Sequence, residues 1–225
     1  MNVEDLIYTV PDAFSDELCD HCIEYHTTLV EQNIATAGET GYHVEGEELP
    51  KVSIDCRYGV AGTNYDTATF NKMNQILINH WWGYGNYFNS DDFKLTDTFG
   101  IWPRTNYDHL QIQLYKKNEG HYNAWHTDND YQFPYQRREY VYTVYLNDVE
   151  DGGETEFIFG TKVKPEKGKL MFFPCNFPFV HRGNMPESND KYILTGWVCE
   201  SSPIDACAQF QEELIRERQN ERKKG

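Results

Sequence analysis

FKLTDTFGIW (93–102), HLQIQLY (109–115), HYNAWHTD (121–128), REYVYTVYLN (138–147), ETEFIFG (154–160), GKLMFFP (168–174), FPFVHRG (177–183) and KYILTGWVCE (191–200) succeed one another, most of them separated by turn-forming Gly, Asn, Asp and Pro. Each run is short and rich in aromatic and β-branched residues, the composition that suits a pleated, half-buried surface. Eight or so such strands, following helical segments, predict a mainly β fold with flanking helices. Its core is expected to be a double-stranded β-helix, or jelly roll, with helices packed against one sheet.

Upstream of these runs the periodicity changes. In FSDELCDHCIEYHTTL (14–29), Ser15 is placed to cap a helix on which Leu18, Cys22, Tyr25 and Leu29 share a face. Residues 36–50, rich in Gly, Glu and Thr, read as a loop, and Val52–Tyr58 as a short strand. Asp66 is placed to cap a second helix that carries Phe70, Met73, Leu77 and Trp81 at helical spacing. The expected organisation is a single domain over 1–225: helical support to about residue 90, a jelly-roll core over about 91–200, and a closing helix over about 203–222.

Composition narrows the function classes. With 20 basic against 36 acidic residues, the formal charge of −16 repels a phosphate backbone, so a nucleic-acid partner is not expected. Mean hydropathy is low at −0.73, but 15% aromatic residues argue for a packed fold. Neither a secretory leader nor a stretch of membrane-spanning length is visible, which makes no membrane association and a cytoplasmic setting the expectation. Six cysteines do not make a disulfide scaffold. Cys19 and Cys22 form a Cys-x-x-Cys with no second pair to complete a zinc site, so they read as buried helix-face thiols.

The chemistry concentrates in the strands. His126-Thr127-Asp128 places an imidazole and a carboxylate on one side of a strand, where they can grip the same ion. In a chain with eight histidines that motif alone is weak. His181, at the end of the apolar run Phe177–Val180, adds a third donor. Two histidines and one carboxylate occupy one face of an octahedron and leave positions open, the arrangement of non-haem Fe(II) oxygenases; a structural zinc would want four protein ligands. Lys191 lies ten residues after His181 inside an apolar strand. It is either an edge-strand charge that discourages pairing or a cation that receives the distal carboxylate of a bound dicarboxylate.

The strings YKKNEGHYNAWHTD (115–128), YLNDVEDGGETEF (145–157), VKPEKGKLMFFP (163–174) and HRGNMPESNDKYILTGW (181–197) resemble the catalytic domain of prolyl 4-hydroxylases over about residues 90–200. The resemblance is closest to the bacterial, viral and algal members and the catalytic part of the collagen enzymes, and extends to the hypoxia-sensing prolyl hydroxylases. It implies that His126, Asp128 and His181 bind Fe(II), and that Lys191 holds the C5 carboxylate of 2-oxoglutarate. Tyr115, Thr143, Tyr145 and Trp197 match positions in or beside the cosubstrate pocket, although for each of them plain core packing is a nearly equal reading. The implied reaction consumes O₂, releases succinate and CO₂, and hydroxylates a C–H bond, with ascorbate as a candidate reductant. A prolyl residue of a peptide or protein is the implied substrate. Hydroxylation of a free amino acid or other small molecule, nucleic-acid demethylation and a catalytically silent binding module are the alternatives. Lys191 stands where nucleic-acid demethylases typically use arginine, and the intact motif counts against a silent module. Asp148 to Glu156 is expected to form a turn that shapes the entrance, and its Gly-Gly pair also has a plain turn-forming role. Residues 36–64, also loop-rich, are expected to fold over the same opening as a lid. In DNDYQFPYQRRE (128–139), Arg138 falls near a substrate-contacting position; the plain reading is a solvated surface charge. No feature of the sequence specifies an oligomeric state.

Overall fold

A computed structural model describes residues 2–40, 48–59, 63–88, 105–129 and 136–201. After a 3₁₀ turn at Val3–Leu6, the elements are β1 (Tyr8–Val10), α1 (Asp16–Glu31), β2 (Thr36–Ala37), β3 (Lys51–Val52), β4 (Ile54–Tyr58) and α2 (Thr67–Phe88). Then come β5 (Thr105–Tyr115), β6 (His121–His126), β7 (Gln136–Tyr145), β8 (Thr155–Phe157), β9 (Lys162–Val163), β10 (Leu170–Pro174), β11 (His181–Gly183) and β12 (Lys191–Ser201). They form a major sheet in the order β1-β10-β7-β12-β5-β4-β2 and a minor sheet in the order β3-β6-β11-β8-β9. The pairings between these strands are antiparallel. This is the mainly β architecture with flanking helices that the sequence predicts.

Both expected helices form with the expected caps. Ser15 accepts from the Leu18 amide, and Asp66 accepts from the amides of Ala68 and Thr69. Such side-chain acceptors satisfy donors that the first helical turn leaves open. Their apolar stripes cover the outer face of the major sheet. Leu18, Cys22 and Leu29 of α1 and Met73, Leu77 and Trp81 of α2 share one core with Ile112, Val144, Phe172 and Leu194. The Cys-x-x-Cys thiols are fully buried there and free, and burial pushes the Cys19 thiol up to about 11, which suits packing and not redox or metal chemistry. A second core, with Val141, Met171 and Phe173 facing Phe157 and Phe179, fills part of the space between the sheets.

The elements that departed from expectation are short. β1 was not foreseen, because three residues are too few to show alternation. The segment expected as a loop over 36–50 contains the two-residue β2, which pairs with β4. The expected strand Val52–Tyr58 breaks at Ser53: β3 belongs to the minor sheet and β4 to the major one, so the chain crosses between layers at that residue. The Ser53 hydroxyl donates to Asp55 at 2.7 Å within this corner. The run at 93–102 and the closing helix at about 203–222 both lie outside the described residues. Among the described residues no helix is long and apolar enough to cross a membrane.

One glycine ties α1 to the sheet. Gly168 has φ +80°, its carbonyl accepts from the Phe14 amide at 3.1 Å, and a Cβ there would stand 2.4 Å from the Phe14 carbonyl oxygen. Gly168→Ala should therefore destabilise the fold by about 2 kcal/mol or more, from left-handed backbone cost plus the clash. Chemical denaturation measures this directly, and a loss within a few tenths would show that the turn relaxes freely.

Candidate active site

Strand pairing assembles the centre. β6 and β11 are in register with His126 opposite His181, and the two imidazole centroids lie 4.3 Å apart. Two residues past His126 the chain is still extended enough to return Asp128, whose Oδ2 lies 3.4 Å from His181 Nε2. One potential ligand atom from each of the three falls within 4.8 Å of the others.

Each histidine is oriented by a carbonyl two residues earlier in the chain. His126 Nδ1 donates to the Ala124 carbonyl at 2.9 Å, and His181 Nδ1 donates to the Phe179 carbonyl at 3.0 Å. That fixes the tautomer and leaves each Nε2 lone pair as the ligand. Tyr122 stacks on the His126 ring at 3.7 Å, and Phe173 meets the His181 ring edge-on at 4.8 Å. Burial, together with the neighbouring His181, lowers His126 to about 4, so it is neutral at physiological pH. Burial alone would raise Asp128; the adjoining His181, His126 and Arg138 outweigh it and hold the carboxyl well below the usual range. A neutral imidazole and an ionised carboxylate are the forms that bind a divalent ion. Two nitrogens and one oxygen, with no thiolate or fourth ligand joining the group among the described residues, fit Fe(II) better than structural zinc.

The centre opens into a cavity of about 1320 Å³ between the sheets. A drug-sized ligand occupies a pocket of roughly 300–1,000 Å³, so this volume has room for a small cosubstrate and part of a second molecule. Strand alternation builds its wall. On β12, Lys191, Ile193, Thr195 and Trp197 face the cavity, while Leu194 and Val198 face the helices. On β5, Gln111, Gln113 and Tyr115 face the cavity, while Leu110 and Ile112 join the helix-covered core.

Lys191 sits on the central strand of the major sheet, paired to β5 on one side and β7 on the other, and is 2% exposed. The edge-strand explanation for this lysine is therefore excluded. Its ammonium donates to the Gly153 carbonyl at 2.9 Å and stands 4.7 Å from the centroid of the Tyr115 ring. Among the described residues no carboxylate comes within 4 Å of it, and burial lowers it to about 8, with Glu154 pulling the other way at longer range. The turn carrying Gly152 and Gly153, both at positive φ, presents that carbonyl.

The other expected residues divide. Tyr115, directly opposite Lys191 in register, lines the cavity, and its hydroxyl donates to Gln113 at 2.7 Å. Thr143 lines it too, 3.3 Å from Thr195. The Trp197 ring lies 3.5 Å under the Arg138 guanidinium, and both residues are on the wall. Arg138 is thus stacked in the cavity and is not merely a solvated charge. Tyr145 is not on the wall. It is fully buried in the inter-sheet core, and its hydroxyl meets Thr155, which is on the wall, at 2.7 Å. Of the described part of the 36–64 segment, Thr36, Leu49 and Arg57 are among the residues that line the cavity. Residues 130–135 of the loop before Arg138 lie outside the described residues. Sequence reasoning missed Tyr122, Thr195, Gln111 and Gln113. The alternation Gln-Ile-Gln-Leu-Tyr over 111–115, with polar residues on an inward face, was the available signal for the glutamines.

Residues 110–199, a span that contains Tyr115, the three metal-site residues and Lys191, match the family model described as the 2OG-Fe(II) oxygenase superfamily. This stretch, two fifths of the chain, is of that superfamily. The oxygenase is similar to Prolyl 4-hydroxylase 13 of Arabidopsis thaliana, at 30% identity over 40% of this chain and 40% of that protein. It thus matches about two fifths of the length of that curated relative. Its fold is that of the viral collagen prolyl hydroxylase of Paramecium Bursaria Chlorella virus-1, with a TM-score of 0.58 at 19% identity over 87% of this chain and 96% of that one. It also matches a Trichoplax adhaerens prolyl hydroxylase solved with a hypoxia inducible factor peptide fragment, with a TM-score of 0.64 at 13% identity, covering 87% and 84% of the two chains. Family and donor set together imply Fe(II) and 2-oxoglutarate as metal and cosubstrate.

Proposed function

We propose that this oxygenase hydroxylates a prolyl residue of a peptide or protein, converting 2-oxoglutarate and O₂ to succinate and CO₂ as the C–H bond becomes C–OH. The observation that carries the reading is an open-faced triad sharing one cavity with a buried lysine that lacks a carboxylate partner among the described residues. The similarity to prolyl 4-hydroxylases supports the prolyl substrate. His126, Asp128 and His181 would hold the iron, which supplies O₂ activation coupled to decarboxylation of the cosubstrate. Lys191 would receive the distal carboxylate, with Tyr115 beside it. The deciding experiment is succinate release from labelled 2-oxoglutarate with Fe(II), screened against proline-rich peptides and free amino acids. Hydroxylation confined to free amino acids would overturn the peptide assignment.

Arg138 supplies a prediction of its own. Its guanidinium covers Trp197 on the wall, beyond the reach of a cosubstrate anchored at Lys191 in this reading. Arg138→Ala should lower peptide hydroxylation by roughly tenfold while 2-oxoglutarate decarboxylation without peptide stays within about twofold, as expected for a stacked cation that is partly desolvated. Measuring both activities side by side decides it, since equal loss of both would make Arg138 a structural residue.

A further inference from the structure

The cavity wall carries a second buried lysine, and its surroundings are the opposite of Lys191's. Lys51 is 6% exposed, and its ammonium lies 2.6 Å from Asp55 Oδ2. Asp55, equally buried, is fully engaged: Ser53 donates to Oδ1 at 2.7 Å, and Gln111 joins Lys51 on Oδ2 at 2.9 Å. The pair straddles the corner at Ser53, so Lys51 comes from the minor sheet and Asp55 from the major one. Gly38 closes over it, at a place where a Cβ would stand 2.1 Å from the Ser53 hydroxyl. Lys51 is also next to the metal centre: its ammonium is 5.9 Å from the Tyr122 ring centroid, and that ring stacks on His126.

An ammonium has three donors, and among the described residues Lys51 uses one, on Asp55. The others are available to the cavity that Lys51 lines. Charge balance determines what they accept. Among the described residues Lys191 has no carboxylate in ion-pair contact, so an anionic carboxylate neutralises it. Lys51 is already neutralised, and a second carboxylate beside the pair would leave a net negative charge in a partly desolvated wall, with Asp55 repelling it at close range. A neutral carbonyl takes the same hydrogen bond and adds no charge.

We infer that Asp55 is a specificity-determining residue: by neutralising Lys51 it makes this wall accept an amide carbonyl of the main substrate and reject a carboxylate. The two lysines thereby divide the ligands, Lys191 taking the dicarboxylate cosubstrate and Lys51 a carbonyl of a peptide chain. This rests on the reading of the protein as a peptide hydroxylase and sharpens it, because a free amino acid presents a carboxylate where a peptide presents an amide.

The test uses matched probes that differ in one group, N-acetyl-L-prolinamide against N-acetyl-L-proline, with the same amide and acid pair built on alanine, valine and lysine. Binding is read from the shift of the visible iron–2-oxoglutarate band in the anaerobic protein, and turnover from succinate release. The parent should favour the amide over the acid by roughly tenfold or more, the scale of a hydrogen bond to a charged group. Asp55→Asn, which uncovers the Lys51 charge, should bring the ratio close to one or invert it by raising affinity for the acid. Lys51→Gln/Asp55→Asn, which removes both charges, guards against misfolding in the single variant and should weaken the amide while leaving the 2-oxoglutarate Kd unchanged. The inference is overturned if the parent binds acid and amide alike, if neither binds, or if the ratio is the same in all three proteins. The prolyl reading fails separately, when the amide preference holds but only on the non-prolyl pairs.

Discussion

Lys191→Met should weaken 2-oxoglutarate binding by tens- to thousands-fold while leaving the ligand-free protein at least as stable as the parent. Both halves follow from one fact, that the ammonium is buried and, among the described residues, has only the neutral Gly153 carbonyl as its hydrogen-bond partner. Lowering a lysine from 10.5 to about 8 corresponds to roughly 3 kcal/mol of penalty on the charged form. Methionine fills the same volume without that penalty, as apolar replacements of buried charges often do. What it loses is the charge-assisted contact to the distal carboxylate, worth about 2–5 kcal/mol when desolvated. The pH dependence separates the two effects. In the ligand-free parent the unfolded chain binds more protons than the folded one between about pH 8 and 10.5, so Lys191's contribution to stability rises with pH across that window. Binding of 2-oxoglutarate requires the protonated form, so affinity falls roughly tenfold per pH unit above about 8. Both slopes should vanish in the variant. Isothermal titration and thermal melts over pH 7–10 measure them, and an unchanged Kd in the variant would remove Lys191 from the cosubstrate site.

Replacing any of His126, Asp128 or His181 by alanine should reduce iron affinity and turnover by more than a hundredfold. Loss of a residue that merely orients a metal ligand typically costs 10–100-fold, and here the donor itself is removed. The parent should bind one Fe(II) per chain and develop a visible charge-transfer band when 2-oxoglutarate is added without oxygen. Each variant should lack the band while keeping a cooperative melt. Asp128→Asn is the sharpest of the set, since it preserves shape and removes only the ionised oxygen next to His181. Full iron affinity in all the variants would show that the metal binds elsewhere.

Most of this site was legible because strand geometry is regular. A period of two residues places His126 beside Asp128, and it aligns Lys191 with Thr195 and Trp197 on one wall. The helices were legible from caps and 3.6-residue periodicity, and α1 and α2 begin where Ser15 and Asp66 indicate. What escaped was decided by pairing between distant segments. Nothing local at Val52–Ser53–Ile54 says that the chain changes sheets there, and so the Lys51–Asp55 contact across the layers could not be read. Tyr145 shares a strand face with Thr143, yet the second core closes over its ring; burial at that depth depends on Phe157 and Val163 arriving from elsewhere.

The carbonyls that orient the two histidines belong to residues only two positions earlier in the chain, Ala124 for His126 and Phe179 for His181. The orientation of each imidazole is therefore inherited with the few consecutive residues that precede it. A lineage can lengthen, shorten or recharge the connections at the cavity mouth, and so acquire new targets, without rebuilding the part that activates oxygen. A change of target and a change of reaction would then fall on different stretches of the chain.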